Sequence, residues 1–351
     1  MDGSAGVTGG IVAVTIDGSD LSQSLRAALT AATVEQRLNL PAACTLTFTP
    51  LDYDQSTSAP LSLEGFDLGT PLTAAMGLDS STALFSGKIA AIEPDFDGRA
   101  RRIEVTGYDA LFDLGFGTNC RTFENRTDSQ MASEVIEAAG FAASVDSTTA
   151  AYPYVLQNNV SDMAFLSGRA ARLGYELAAD DRTVSFRKSR NGETAVATLE
   201  YGVSLTSFRG RMRALRQGSS VTRTGWDPQK KAVITQTVSS GSPDDLMGGE
   251  ETGFSASEDY KASAETAPDP SIVDDATAES LAQGAYETAL DAFVEATAEC
   301  PGNPRLKPGV NVTVSKIGGR FDGLYYVVAA EHAFSVTEGY TTRLTLRRTG
   351  I

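Results

Sequence analysis

His332 is the only histidine of this sequence, and histidine is the side chain that most often serves in acid–base catalysis. It follows an apolar run that is typical of a strand. Catalysis by histidine needs a nucleophile and an orienting carboxylate close by, and the sequence has no Gly-x-Ser-x-Gly motif to supply the nucleophile. We therefore expect His332 to be a structural, hydrogen-bonded side chain, with metal binding as the alternative.

The acidic residues do not form a recognisable hydrolytic motif either. Adjacent aspartates occur in three polar stretches, at Asp180-Asp181, Asp244-Asp245 and Asp274-Asp275. Two carboxylates can hydrolyse a glycosidic bond when they lie on opposite sides of it, whereas neighbours in polar turns are usually solvated. No Gly-rich phosphate loop ending in Lys-Ser or Lys-Thr is present, which argues against nucleotide hydrolysis. We expect a protein that is not an enzyme.

The cysteines argue against a zinc site. Cys44, Cys120 and Cys300 are odd in number and form no Cys-x-x-Cys pair. Free, buried thiols in a reducing compartment are the simplest interpretation. A structural zinc ion needs more Cys or His ligands than the chain contains. We expect no metal and no cofactor.

Three arginines are the candidate functional residues. Arg209, Arg211 and Arg213 alternate with other residues, so on a strand all three point to one face, and Arg216 is nearby. These side chains could simply pair with local carboxylates on an exposed strand. The functional alternative is an electrostatic contact with a neighbouring subunit, and nucleic-acid binding is a third interpretation.

Composition and charge limit the partners. The 351 residues carry a formal net charge of −16, and a strongly acidic surface is unsuited to wrapping nucleic acid, because phosphate contacts need clustered Lys and Arg. The first ten residues lack the basic start and apolar core of a secretory signal. No apolar run approaches the ~20 residues of a membrane helix. We expect assembly in the cytoplasm and no membrane insertion.

The elements that would position these side chains are mostly strands. Residues 1–115 alternate in polarity between turn-rich pieces such as 56–60, and they predict a small antiparallel β-barrel or sandwich. Residues 116–200 predict an α+β domain. Its first helix would follow an N-cap at Thr127 or Asp128 and end near Gly140, and its second would run from Ser161-Asp162 to Gly174.

The second half of the chain is β-rich again, with an insertion. We expect residues 201–240 and 305–351 to form one second β-barrel. Residues 241–304 would be an insertion packed on the α+β domain. The polar stretch 239–275 predicts a long loop, and residues 275–298 predict one long helix.

Two distant stretches repeat the same order of parts. Phe85-Ser86-Gly87 precedes an apolar strand, Glu93 and a second strand, and Phe321-Asp322-Gly323 precedes an apolar strand, Glu331 and a second strand. This order indicates two copies of one β-unit. The predicted fold class is thus α+β, mainly β.

Four groups of motifs follow one another along the chain in a recognisable order. They are Arg121-Thr122-Phe123 with Thr127-Asp128-Ser129, residues 157–166 running on to 171–175, Gly225-Trp226-Asp227-Pro228, and residues 304–309 with Phe321-Asp322-Gly323, Glu331-His332 and Gly339-Tyr340. Together they resemble the phage late control protein D family, the tail hub proteins of contractile tails. The same domain forms the N-terminal part of type VI secretion spike proteins.

The resemblance implies a homotrimer in which each chain supplies two tube-protein-like barrels, so that three chains form a pseudo-sixfold ring. Such a ring would join a sixfold tail tube to a threefold spike, with other baseplate proteins as neighbours. DNA or a protein cargo would pass through its lumen without specific binding. Arg209, Arg211 and Arg213 become candidates for a subunit or tube interface.

The expected location is the tail of a phage virion, a tailocin or an extracellular injection particle. Two other functions stay open. One is a baseplate-associated cell-wall hydrolase, which would need catalytic residues that the sequence does not reveal. The other is a β-rich glycan-binding or adhesion module, which predicts exposed aromatic side chains, although Trp226 is the only tryptophan and we expect it in a turn.

Overall fold

The structure, a computed structural model of the chain, describes residues 9–49, 63, 65–96, 101–215, 220–259 and 265–351. The turn-rich piece expected at 56–60 and Arg216 beside the arginine residues lie outside these ranges. The described residues are mainly β, with antiparallel pairing throughout most of the sheets. This agrees with the predicted class of α+β, mainly β.

Twenty-one strands occur in the described ranges. They are β1 (Ile11–Ile16), β2 (Ser19–Asp20), β3 (Leu29–Arg37), β4 (Leu40–Phe48), β5 (Pro71–Gly77), β6 (Thr82–Phe96), β7 (Arg101–Tyr108), β8 (Asn119–Thr127), β9 (Ala142–Val145), β10 (Ala151–Val160), β11 (Tyr175–Asp180), β12 (Thr183–Lys188), β13 (Ala197–Glu200), β14 (Ser207–Met212), β15 (Val221–Asp227), β16 (Ala232–Val238), β17 (Glu265–Pro268), β18 (Val294–Pro301), β19 (Asn311–Ser315), β20 (Gly323–Ser335) and β21 (Gly339–Arg348).

The helices are α1 (Gln23–Ala28), α2 (Ala110–Asp113), α3 (Asp128–Ala138), α4 (Asp162–Leu173) and α5 (Asp275–Leu290), with short 3₁₀ helices at Pro243–Leu246 and Ser255–Ser257. Local sequence sets their ends. Thr127 caps α3 in a capping box with Gln130. Ser161 caps α4, which ends at Gly174 in the left-handed conformation. The N-cap of α3 and both ends of α4 were predicted from the sequence.

One thirteen-stranded sheet contains two β-units with the same strand order. The first β-unit follows the order β3-β4-β7-β6-β5-β1, and the second follows β14-β18-β21-β20-β19-β13. Each strand of one unit thus has a counterpart in the other. The one difference in direction is at the end, because β1 pairs antiparallel with β5 whereas β13 pairs parallel with β19. This shared order agrees with the predicted internal repeat.

The β6–β7 and β20–β21 hairpins correspond in detail. A register shift follows Ile89 in the first hairpin and Val327 in the second. Glu93 and Glu331 each lie four residues after the residue that precedes the shift. The two glutamates aligned by sequence therefore occupy equivalent positions.

The two β-units join through β20. Before the bulge, β20 pairs with β19 of its own unit, and after it Ala329–Ser335 pair with β3 of the first unit. Phe334 packs on the hydrophobic core of the first β-unit (the first core), and Tyr340 is fully buried in that core. The junction is therefore continuous in both hydrogen bonding and apolar packing.

The sheet is apolar on one face and polar on the other. The buried residues of β4 and β18 alternate, with Cys44, Leu46 and Phe48 in one core and Ala296, Ala298 and Cys300 in the other. Residues paired directly across strands share a face. The opposite face carries charged and hydroxyl side chains at Thr33, Glu35, Thr45, Glu93, Asp95, Glu104, Thr106, Arg209, Arg211, Glu295, Thr297, Glu331, Arg343 and Thr345.

The remaining elements form an α+β part with its own core. The ribbon β8–β10, the sheet β11-β12-β9 and helices α3 and α4 share a core that includes Met131, Leu166 and Phe186. A three-stranded sheet, β16-β15-β17, packs against α5. Strands β15 and β16 were expected in the second barrel, within 201–240. That expectation was wrong, because they pair with β17 and with each other.

The helix expected over 275–298 ends at Leu290 instead. Residues 294–301 form β18, which pairs with both β14 and β21 in the second β-unit. The reason is a change of period: Val294, Ala296, Ala298 and Cys300 are buried and the residues between them face the polar side. The alanines of this segment favour a helix by local propensity, but pairing with β14 and β21 makes it a strand.

The stretch 239–275, expected to be a long loop, contains the two 3₁₀ helices and β17. Met247 and Phe254 are buried, which fixes the stretch to the rest of the chain. Met247 packs with Leu38 and Tyr326, and the ring of Phe254 packs at a tilt against that of Tyr286 in α5, with 4.7 Å between the ring centroids. Its residues 260–264 lie outside the described ranges.

Candidate interaction surface

The three candidate arginines lie on β14 and directly after it. β14 is the end strand of the thirteen-stranded sheet, and in the described part of the chain it pairs only with β18. Arg209, Arg211 and Arg213 are exposed, whereas Phe208 and Met212, at alternate positions of the same stretch, pack on the hydrophobic core of the second β-unit. The arginines therefore share one face of an edge strand, as alternation predicts.

Arg213 differs from Arg209 and Arg211 in that its side chain has partners within the chain. Its guanidinium lies 3.0 Å from Glu295 and its Nε donates to the carbonyl of Ala292 at 2.9 Å. Arg209 and Arg211 form no ion pair with any residue that the structure describes. Of the three arginines, only Arg213 is thus paired with a local carboxylate in the described residues, as the simpler interpretation of the sequence proposed.

A cavity of about 940 Å³ opens beside this edge. Arg211 and Arg213 line it together with Arg172 and Arg223 of the α+β part and the three-stranded sheet. Arg172 pairs with Asp269 at 3.0 Å and Arg223 with Glu265 at 2.8 Å. Among the four arginines of the cavity wall, only Arg211 on β14 has no ion pair with a described carboxylate.

His332 is a buried structural residue. Its Nδ1 lies 2.8 Å from the Tyr340 hydroxyl and 3.2 Å from that of Thr342, and its Nε2 lies 3.0 Å from the carbonyl of Leu306. Because a carbonyl only accepts, Nε2 carries the proton and Nδ1 accepts. Burial lowers the pKa of His332 to about 4, since the charged imidazolium loses its solvation. These hydrogen bonds occupy both ring nitrogens, and none of them is to a carboxylate that could orient the imidazole for catalysis.

The paired aspartates have structural roles. Asp245 is buried in a capping box with Ser242, and burial raises its pKa. Asp274 caps α5 by accepting from the N–H of Thr277 at 2.7 Å. Asp181 lies in the β11–β12 turn with positive φ. In the described ranges, no group of three or more His, Cys, Asp or Glu side chains is placed to hold a metal ion.

The cysteines differ in environment. Cys44 and Cys300 are buried free thiols, and burial raises the pKa of each to about 12. Cys120 is free and exposed on β8, so the expectation of buried thiols was wrong for this residue. The reason is that β8 and β10 form a two-stranded ribbon with one face open to solvent.

A buried polar network that the sequence did not reveal joins the α+β part to the second β-unit. The Tyr326 hydroxyl donates to Glu176 at 2.6 Å, and Arg187 Nε donates to the same oxygen at 3.0 Å. The guanidinium of Arg347 lies over the Tyr326 ring at 4.7 Å. These residues are up to 171 positions apart in sequence, so neither motif nor spacing could have indicated the network.

Trp226 lies in strand β15, not in the turn expected for it. It is 52% exposed, and its cross-strand partner is Val233, also exposed. Its direct neighbour across the ladder is thus aliphatic, not a second aromatic ring.

None of the described helices combines the length and the apolar character needed to cross a lipid bilayer. The longest described helix, α5, has 16 residues.

Solved structures that share this fold include tail proteins and a component of a secretion system. The 43 kDa tail protein of prophage MuSo2 from Shewanella oneidensis superposes with a TM-score of 0.72 at 15% identity, over 97% of this chain and 98% of that one. A tail protein from Neisseria meningitidis MC58 gives 0.68 at 12% identity, with 97% of each chain covered. An Escherichia coli component of the type VI secretion system gives 0.60 at 14% identity, over 95% of this chain and 76% of that one.

Sequence comparisons are more restricted. No curated protein matches this chain. The late control protein D family suggested by the motifs is not the family whose model matches. The matching model is described as the Alg8 N-terminal domain and covers residues 8–336, most of the sequence. The chain therefore belongs to the family of the Alg8 N-terminal domain.

Proposed function

We propose that this protein is a structural hub of a contractile phage tail, tailocin or injection system, related in fold and role to the late control protein D hubs. The observation that carries the proposal is the pair of β-units with one strand order in one continuous sheet. A chain with two equivalent units offers twice as many similar surfaces as there are subunits. Such a chain can adapt a threefold partner to a sixfold one.

In this proposal each β-unit is a tube-like barrel, and three chains form a pseudo-sixfold ring. The polar face of the sheet lines the lumen, and the apolar face holds the cores. Charges of both signs alternate on that face, for example Glu331 beside Arg343 at 3.5 Å. A wall of mixed charge suits passage of DNA or protein cargo without specific binding.

The proposed partners are a sixfold tail tube protein, a threefold spike protein and other baseplate proteins. These partners are supported by the similar solved structures, which are two tail proteins and a component of the type VI secretion system. The α+β part, with α5 and the three-stranded sheet, would lie outside the ring and support it. The particle would assemble in the cytoplasm and leave it as a virion tail or an injection particle.

The two other functions have less support. A cell-wall hydrolase needs a catalytic group, and the buried environment of His332 does not provide one. A glycan-binding module needs exposed aromatic surface, to which Trp226 contributes one side chain. Release of sugars or peptides from purified peptidoglycan, or retention on a glycan array, would favour one of these functions over the hub.

Deletion of the gene in a producing strain tests the hub function. Electron microscopy of lysates should show no complete tails, and the gene supplied in trans should restore them. Quantitative mass spectrometry of purified particles should find three copies per tail. Normal tails from the deletion strain would contradict the proposal.

A further inference from the structure

The free edges of the sheet are equivalent in a way that defines a partner. β3 and β14 are counterparts, and so are β20 and β6. Inside the chain, β3 pairs with residues 329–335 of β20, the part that follows the bulge. The same part of β6, from Ala91 to Phe96, pairs with β7 on one side, and no described strand pairs with its other side. β14 is likewise open on one side among the described strands. The open edge of β14 therefore corresponds to the β3 side of the internal junction, and that of β6 corresponds to the β20 side.

We infer that β14 of one chain pairs antiparallel with the second half of β6 of a neighbouring copy, and so repeats between chains the junction that β3 and β20 make within one. This inference rests on the proposed hub function and names a second copy of this chain as the partner of the arginine residues.

The register follows from the ladders. β6 aligns with β20 at their bulges, and β14 aligns with β3 through their pairing with β18 and β4. Transferring the β3–β20 register to the open edges places Arg209 opposite Asp95 and Arg211 opposite Glu93. The four side chains lie on the polar face, all are exposed, and none forms an ion pair in the described ranges. Opposite charges directly across strands stabilise a ladder.

The apolar face fits as well. In the same register Phe96 lies opposite Phe208. Phe96 is 61% exposed in the single chain, whereas its counterpart Phe334 packs on the first hydrophobic core across the internal junction. Phe208 is half-buried and contacts the rings of Phe321 and Tyr325. Pairing would give Phe96 the cover that Phe334 already has.

The centre of the ladder accommodates a proline. In this register Pro94 lies opposite Gly210, so the pyrrolidine ring has no side chain directly across the ladder from it. Pro94 lacks an N–H, so the ladder loses at most one hydrogen bond there. Proline at a free edge also hinders unspecific strand addition.

Charge reversal and exchange test the pairing. We expect Arg209→Glu with Arg211→Glu to raise the dissociation constant of the oligomer by roughly 100-fold, because like charges then face each other. Glu93→Arg with Asp95→Arg should do the same. The four changes together should restore association to within about tenfold of the original protein. Arg26→Glu with Arg190→Glu, on exposed arginines elsewhere, is the matched control and should change nothing.

Cross-linking tests the register independently. In a Cys120→Ser background, Arg211→Cys with Glu93→Cys should give intermolecular disulfides, whereas Arg211→Cys with Ala91→Cys, two residues out of register, should not. A wild-type chain that stays monomeric at several hundred micromolar contradicts the inference. So does an oligomer whose mass survives both reversals, and that result leaves the hub function intact. Normal tails without the gene would instead reject the hub and leave the strand pairing standing.

Discussion

At the scale of single residues, Tyr340, Thr342 and Leu306 hold His332 in one neutral tautomer. The sequence located this histidine after a buried strand and predicted a hydrogen-bonded, structural role. The sequence could not show that Tyr340 lies in the first core, nor that His332 forms a hydrogen bond to Tyr340 across the β20–β21 hairpin. Both facts depend on the register of that hairpin. Motif-free buried networks of this kind are decided by tertiary pairing.

The pKa of His332 gives a prediction with a defined sign. The pKa is near 6.5 in the unfolded chain and about 4 in the folded one. As pH falls from 6.5 toward 4, the unfolded chain takes up a proton that the folded chain does not. Folding stability therefore decreases over this window, by about 3 kcal/mol in total, and above it His332 adds no pH dependence to the stability.

Chemical denaturation at pH 7 and pH 5 measures this effect. The comparison is with His332→Gln, because other groups titrate in the same range with the opposite sign. Burial raises the pKa of Asp109 to about 6, so between its unfolded and folded pKa values its contribution to stability is lost as pH rises. The single imidazole is also visible directly by NMR, and titration near its ordinary pKa would show that the site is solvated.

At the scale of elements, α4 and α5 meet through two glycines. A Cβ on Gly284 of α5 would lie 2.3 Å from the carbonyl carbon of Leu173 and 2.8 Å from the nitrogen of Gly174. Both neighbours are backbone atoms at the C-terminus of α4. The helices can therefore approach this closely only without a side chain at position 284.

We expect Gly284→Ala to lower the free energy of unfolding by roughly 1–3 kcal/mol, because the methyl group overpacks this contact. The better helix propensity of alanine opposes the effect by about 1 kcal/mol. Gly168→Ala in α4 is the matched control. A Cβ there meets nothing within 4 Å, so this change should be neutral or stabilising. Equal effects of both substitutions would contradict the close contact.

Elements with their own local signals were predicted well and those defined by partners were not. Capping residues placed α3 and α4, because the hydrogen bonds of a cap are made within a few residues. The end of α5 was misplaced, since Ala296 and Ala298 suit a helix until β14 and β21 pair with their strand. The shared face of Arg209, Arg211 and Arg213 was predicted from alternation alone, whereas the position of their strand at the edge of a sheet depends on the topology.

At the scale of the whole molecule, the α+β part and the sheet are joined by polar contacts. Besides the Tyr326–Glu176 hydrogen bond, the β3–β4 turn docks on β11. There the N–H of Asn39 donates to the carbonyl of Leu177, and the side-chain oxygen of Asn39 accepts from the N–H of Leu177. Asn39 has a positive φ of 66°, which this residue type tolerates. These contacts orient the two parts relative to each other.

Removing one hydroxyl should weaken this connection measurably. Tyr326→Phe takes a donor from the Glu176 carboxylate, and we expect a loss of about 1.5–3 kcal/mol in the free energy of unfolding. Tyr325→Phe is the neighbouring control, because its hydroxyl donates to the backbone carbonyl of Phe321 and should cost only about 1 kcal/mol. A Tyr326→Phe effect no larger than the control would show that the network does not join the two parts.

The bulged strand β20 also has a mechanical consequence. Its first half belongs to one core and its second half is zipped to β3 by seven residue pairs. A pull along the strands must break these pairs together, in shear, whereas a pull at right angles opens them one after another. The junction therefore resists sliding of one β-unit past the other along the strands more strongly than it resists separation of the two units at right angles to the strands.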